Sequence, residues 1–280
     1  VQGTALETVG YNLMSVWPST GDEETRIYPH LLPLPRQPGQ PDEAFRRKYS
    51  RSPALEMERI VQTYMRPGDY FLEVCAGWWT FSATAAVMGY SGEGIDIWDV
   101  SLAFGKRQLA KLPRTGGRVK IVEGDARSLP YSDNQFDFVY ANPPFFQLEK
   151  YSNDTRDIGK QPSLESWLNA SGEMMAEMER VVKPGKLLVT VMADYRQTGK
   201  LIRLHDMWIT EAERQGLVLH DFVIQTMRTE AVRIWRKAFE RQRTVKAHEY
   251  VIVFKKRGDG DQNARQPLPA QKEDGDGPIC

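Results

Sequence analysis

An α/β fold, a seven-stranded mostly parallel sheet with helices on both faces, is what this chain predicts, and three observations predict it. Short apolar runs rich in Val, Ile, Phe and Tyr recur along the middle of the chain, as buried strands do. Stretches with helical spacing of apolar residues separate them, so β and α alternate in five successive units. The first four runs each close on glycine, a carboxylate or an amide, and in open parallel sheets that edge is where ligands bind.

In chain order, residues 1–45 carry Pro18, Pro29, Pro33, Pro35, Pro38 and Pro41 and read as an extended arm, on the surface or partly disordered. A basic cluster, Arg46-Arg47-Lys48-Tyr49-Ser50-Arg51, leads to Ser52-Pro53, an N-cap with proline at the first helical position. The helix that follows places Leu55, Ile60 and Tyr64 near one face and ends at Pro67-Gly68. Tyr70–Cys75 is the first strand, closed by Ala76-Gly77, and the next helix carries Phe81, Thr84, Ala85 and Met88 up to Gly89. Gly94-Ile95-Asp96-Ile97-Trp98 is the second strand, a helix covers about 100–111, and Val119–Glu123 is the third strand, closed by Gly124-Asp125.

Phe136–Ala141 is the fourth strand, and Asn142-Pro143-Pro144-Phe145 ends it, because proline cannot donate to a sheet ladder. Residues 147–162 are polar and aperiodic, a loop long enough to be functional. An apolar stripe with Trp167, Met174, Met175 and Met178 reads as a core-packing helix up to Lys183-Pro184-Gly185. Leu187–Met192 is the fifth strand. A helix carrying Leu201, Leu204, Trp208, Ile209 and Ala212 ends at Gly216. Val218–Ile224 and Glu249–Phe254 are the last strands, the second lying between neighbours. One domain therefore spans 46–256, between the 1–45 arm and an acidic, disordered tail at 257–280.

The 280 residues hold 37 basic and 37 acidic side chains, so the chain is no polycation, and charge must be read by segment. No apolar run approaches the roughly 20 residues that span a membrane, so no membrane partner is expected. Val1–Glu7 lacks the basic and apolar regions of a signal peptide, and the two cysteines, Cys75 and Cys280, suit a reducing cytoplasm better than a disulfide. His30, His205, His220 and His248 form no metal-ligand spacing, so no metal is expected. No P-loop or Gly-x-Ser-x-Gly occurs, and Trp78-Trp79 breaks any dinucleotide glycine pattern.

The strand ends carry the chemistry. A glycine turn lets backbone N–H groups approach a ligand at a helix N-terminus. Asp96, at the end of the second strand, is placed to accept hydrogen bonds from ribose hydroxyls. Asp125 could take an adenine amino group, and Asn142 beside Phe145 suits a planar substrate bearing an amino group. Each has a plain alternative, as a cap or turn residue.

The order of these elements resembles the class I S-adenosylmethionine-dependent methyltransferases, whose fold is Rossmann-like, across about 46–256. Asn142-Pro143-Pro144-Phe145 matches the signature of the amino-methyltransferases. Glu73-Val74-Cys75-Ala76-Gly77-Trp78-Trp79-Thr80 looks like their cofactor loop, and Lys48–Pro53 resembles the element packed beside it. The resemblance implies S-adenosyl-L-methionine as cofactor, with Glu73, Ala76 and Gly77 at its methionine end, Asp96 at the ribose, and Asp125 and Ala126 at the adenine. It implies that Asn142 and the Pro143 carbonyl accept hydrogen bonds from the target amine, on the turn shared with Pro144, while Phe145 stacks on the base. The implied reaction is methyl transfer to adenine N6 or cytosine N4 of DNA. RNA, a protein glutamine amide, or an inactive binding protein on this scaffold are the alternatives. The loop usually has a second glycine where this chain has Trp79, whose ring either narrows the cofactor pocket or packs outside it. Arg228, Arg233, Arg236, Lys237 and Arg243, interleaved with Trp235 and Phe239, suit phosphate contacts or, equally, a solvated helix face.

Overall fold

The computed structural model describes residues 16–17, 31–32, 52–114, 116–146, 151–152, 154–197, 199–226, 241 and 248–258. In order the elements are β1 (Val16–Trp17), α1 (Ala54–Tyr64), β2 (Tyr70–Val74), α2 (Thr80–Val87), β3 (Ser91–Asp96), α3 (Asp99–Leu109), β4 (Val119–Glu123) and β5 (Phe136–Ala141). A 3-10 turn (Ile158–Lys160), α4 (Leu164–Val181), β6 (Val182–Met192), β7 (Tyr195–Gln197), β8 (Lys200–Ile202), α5 (Leu204–Arg214), β9 (Leu217–Thr226) and β10 (His248–Lys256) follow.

The main sheet runs β1-β9-β10-β6-β5-β2-β3-β4. Strand β10 is antiparallel to both β6 and β9, and every other pairing is parallel. These are the seven expected strands plus a two-residue edge strand. From Phe138 to Ala141 the side chains alternate between the faces as the pleat demands, and a register irregularity between Phe136 and Phe138 takes Phe136 out of that alternation. Phe138 and Tyr140 join one core with α1 and α2, while Phe136, Val139 and Ala141 join the other with α4 and α5. From β2 the chain steps outward through β3 and β4, then returns to place β5 on the other side of β2. The gap between the C-terminal ends of β2 and β5 is therefore the switch point, where open α/β sheets form a crevice.

Four expectations need correction. The arm is not merely a surface feature: Val16–Trp17 pairs with Ile224 and Gln225 of β9, and Trp17 is fully buried against Tyr64. Burial of one tryptophan outweighs the weak strand signal of its proline-rich surroundings. Strand β3 starts at Ser91 and stops at Asp96, rather than running from Gly94 to Trp98. Its Ser-Gly-Glu-Gly opening has poor strand propensity, but partners on both sides hold it in the sheet. Strand β6 begins at Val182, directly where α4 ends, and passes through the expected Lys183-Pro184-Gly185 break. Leu201 belongs to the β7–β8 hairpin, half-exposed, and not to the apolar face of α5. The Arg228, Arg233, Arg236, Lys237 and Arg243 cluster and the tail from residue 259 lie outside the described residues.

Candidate active site

A cleft of about 930 Å³, open mouth included, sits on the switch point. It is lined by Glu73, Ala76, Gly77, Asp96, Asp125, Ala126, Asn142 and Pro144, bringing together residues from the ends of four strands. Two of the expected residues stand back from it. Pro143 is buried, and Phe145 is 6 % exposed in the core beneath the turn, so its ring offers no free face to a base in this arrangement. The ring expected to stack on a base is packed into the core instead. The turn itself is pinned by Trp167 of α4, whose Nε1 donates to the Pro144 carbonyl at 3.2 Å.

The cofactor-loop residues follow from backbone geometry. Cys75, Gly77 and Trp79 all adopt positive φ, of 57°, 49° and 58°. Only glycine does this without strain, so Cys75 and Trp79 are held there by their surroundings. The Gly77 N–H donates to Asp96 Oδ2 at 2.7 Å, and the Trp98 N–H donates to Asp96 Oδ1 at 2.8 Å. Burial raises the Asp96 pKa, against those two hydrogen bonds. Asp125 is held differently: burial acts to raise its pKa, but the Arg127 guanidinium outweighs it, donating from Nη2 at 2.7 Å. Cys75 Sγ lies 3.9 Å from Met174 Sδ, and burial pushes the thiol well above its ordinary value, so it is no thiolate nucleophile.

Glu73 is 4 % exposed and accepts from the Ser82 N–H at 3.0 Å, at the start of α2. Burial pushes its pKa up to about 8, with the Ser82 hydrogen bonds opposing and the neighbouring Asp96 carboxylate adding. A buried carboxylate whose charged neighbour is another carboxylate is suited to a cationic ligand.

Trp79 does not line the cleft. Its ring is fully buried, Nε1 donates to the Ser101 carbonyl at 2.9 Å, and it fills space left by two glycines. A Cβ on Gly105 would lie 2.5 Å from the indole Cε2, and one on Gly94 would overlap the same ring. The cofactor pocket is therefore not blocked by the departure at Trp79.

Sequence reasoning named none of three contributors as site residues, although it read the 147–162 loop as functional and Lys48–Pro53 as packed beside the cofactor loop. Trp78 and Trp98 stand edge to face at 5.4 Å on one wall, and Trp98 approaches Tyr151 at 5.7 Å. Tyr151, Ser152, Arg156, Asp157 and Ile158 bring the polar segment over the cleft, where Asp157 is buried and accepts from the Ser152 and Gly159 N–H groups. Ser52 lines the cleft too. It does not cap α1, whose N-terminus has Pro53 in the capping position and no side-chain cap bond. Its Oγ instead accepts from Asn142 Nδ2 at 3.0 Å. Sequence spacing carried a signal for Trp98, which follows Asp96 closely, but none for a contact across 90 residues.

Comparison with known proteins gives the chain its family. Residues 136–278 match the family described as DNA methylase, and residues 71–156 match a methyltransferase domain. A demethylmenaquinone methyltransferase from Bacillus mycoides is 30% identical over 177 residues, covering 61% of this chain and 60% of that protein. One of the same name from Staphylococcus aureus is 35% identical over 129 residues, covering 45% and 43%. The chain thus spans only about half the length of these curated relatives. Among solved structures, a methyltransferase dependent on S-adenosylmethionine from Methanosarcina mazei superposes with a TM-score of 0.51 at 18% identity, over 71% of this chain and 98% of that one. The [4+2]-cyclase SpnF reaches 0.52 at 17% identity, over 73% and 81%, so the fold alone does not fix the reaction.

Proposed function

The chain belongs to the class I S-adenosylmethionine-dependent methyltransferases, in the family described as DNA methylase, and from that premise we propose methyl transfer to the exocyclic amino nitrogen of a DNA base, adenine N6 or cytosine N4. The observation that carries this reading is the shared cleft: Asn142, at the end of β5, faces the same space as Glu73, Gly77 and Asp96. S-adenosylmethionine supplies an electrophilic methyl group on a sulfonium. The residues present fit it: the Glu73 carboxylate suits its ammonium, Asp96 has lone pairs left for ribose hydroxyls, and Asp125 and Ala126 border the adenine end. Because Asp125 is already paired with Arg127, it reaches an adenine amino group only with a remaining lone pair.

At the acceptor end, an aryl amine is a weak nucleophile because its lone pair is delocalised into the ring. Asn142 Oδ1 accepting one of its hydrogens favours a pyramidal nitrogen with its lone pair aimed along the cleft. Alignment and electrostatics then do the work, without a covalent enzyme intermediate. A duplex base must first be flipped out, at a cost of a few kcal/mol. Thr226 and His248, which flank the basic 227–247 stretch, pair with each other at the edge of the sheet where Asn142 stands. That position supports a role for the stretch in holding DNA.

A small-molecule acceptor is the second reading, favoured by the names of the curated relatives and by the inward-turned Phe145. Incubation with radiolabelled S-adenosylmethionine and DNA, RNA, protein or demethylmenaquinone separates them. Label in N6-methyladenine or N4-methylcytosine after nuclease digestion is the expected result. Label in the quinone or RNA, with none in DNA, overturns it.

Glu73 adds a pH signature. With a pKa of about 8 it is largely protonated near neutrality, and only its ionised form attracts an ammonium. Cofactor affinity is expected to rise with pH between 6 and 8, by up to about tenfold per unit. The apo protein shows the opposite sign: a raised carboxyl pKa contributes stability at low pH that is lost as pH climbs toward 8. Calorimetric titration of wild type and Glu73→Gln should show the affinity slope only in wild type; equal slopes refute the assignment.

A further inference from the structure

The Ser52 hydroxyl reaches across 90 residues of sequence to the amide that ends β5. Ser52 stands just before α1, where a serine ordinarily caps the helix, yet α1 has no side-chain cap bond. Its Oγ accepts from Asn142 Nδ2 at 3.0 Å, and both side chains line the cleft, half-buried.

An amide is asymmetric: its NH₂ donates and its oxygen accepts. A target amine presents hydrogens, so Asn142 can hold it only with Oδ1 toward the acceptor. Turned by 180° about its terminal torsion, the same side chain presents NH₂ and repels the amine. That torsion is broad and nearly two-fold, so the strand alone does not select one orientation. A hydroxyl oxygen against the NH₂ breaks the tie, since it accepts from Nδ2 and leaves Oδ1 clear. Within the turn, the prolines at 143 and 144 have no N–H to offer to Oδ1, and the Pro144 carbonyl already accepts from Trp167 Nε1.

We infer that Ser52 is a positioning residue for methyl transfer, orienting the Asn142 amide so that Oδ1 faces the target nitrogen. This rests on the amino-acceptor reading above. Ser52 acts through Asn142 and forms no bond to the methyl group, so its removal lowers turnover at saturating substrates and leaves cofactor affinity alone.

Two arms test it. The first needs no acceptor: in ¹⁵N-labelled full-length protein with S-adenosylhomocysteine, the Asn142 side-chain NH₂ signals are identified by their loss in Asn142→Asp. Ser52→Ala should shift those signals and speed their hydrogen exchange, and Ser52→Thr, which keeps the hydroxyl, should restore both. Unchanged signals in Ser52→Ala overturn the inference whatever the acceptor proves to be. The second arm measures turnover on whichever acceptor the labelling assay identifies. Ser52→Ala should lower kcat by roughly 10–100-fold with the calorimetric Kd for S-adenosylmethionine within about twofold, and Ser52→Thr should recover kcat to within about threefold. In the Asn142→Asp background, a symmetric carboxylate has no orientation to set, and the Ser52→Ala effect should shrink below about threefold. A loss of cofactor affinity that matches the loss in turnover would make Ser52 a cofactor ligand and overturn the inference. Absence of label in every acceptor defeats the proposed function and leaves the first arm to decide this one.

Discussion

Asn142→Ala is expected to lower kcat for methyl transfer by about 10²–10³-fold while S-adenosylmethionine binds within about twofold of wild type. The size follows from what the side chain does. It is the amide that ends β5 in the cleft, and in the proposed reaction its oxygen is the acceptor that aligns a weak nucleophile with the methyl carbon. Removing it leaves the amine flat and solvated, and a misplacement of about 1 Å at a reacting centre can cost about 10²-fold. Cofactor binding is spared because the residues assigned to the cofactor lie on other strand ends, after β2, β3 and β4. Asn142→Asp, which keeps an acceptor oxygen, should retain more turnover than the alanine variant. Single-turnover assays with labelled cofactor give the rate, and calorimetry gives the affinity. Turnover within tenfold of wild type would remove Asn142 from the reaction.

The second large effect concerns stability and the tryptophan in the cofactor loop. Gly94→Ala is expected to destabilise the protein by about 1–3 kcal/mol, because the new methyl group meets the Trp79 ring. Trp79→Gly should cost more, of the order of 3–5 kcal/mol for the lost ring. About 1–2 kcal/mol of that returns, because glycine occupies φ of 58° without strain. Combined, the two changes should be much less than additive: in the Trp79→Gly background Gly94→Ala fills part of the vacated space. A coupling of about 1–3 kcal/mol is the expected outcome of the cycle, read from urea midpoints at constant m. Additive costs would mean that Trp79 and Gly94 do not share that space.

The same pair shows why Trp79 was ambiguous in the sequence. A tryptophan in a glycine-bearing loop has two destinations, and local chemistry does not choose between them. Gly94 and Gly105 decide it, one 15 and the other 26 positions further on, by leaving room on the side away from the cleft. Read alone, those glycines weaken a strand and a helix. Phe145 and Ser52 follow the same logic. Phe145 is apolar beside a polar motif, and only the cluster beneath the turn shows it turned inward. Ser52-Pro53 has the local form of a helix cap, and only the strand end 90 residues away shows where its hydroxyl goes.

What the chain determines by itself is the alternation of elements, the strand cores and the chemistry at their ends. A strand of Phe, Val and Tyr stopped by two prolines, or an aspartate just after an apolar run, is specified by propensity and steric rules that act within a few residues. Those rules placed Glu73, Gly77, Asp96, Asp125 and Asn142 at strand ends, and the strand order then gathered them on one cleft. Side-chain direction was left to the tertiary structure, because it depends on which distant groups leave space or offer a hydrogen-bond partner. Packing sent Trp79 and Phe145 away from the cleft and Trp17 beneath the sheet edge, since burying a large ring outweighs the mild preferences of the backbone that carries it.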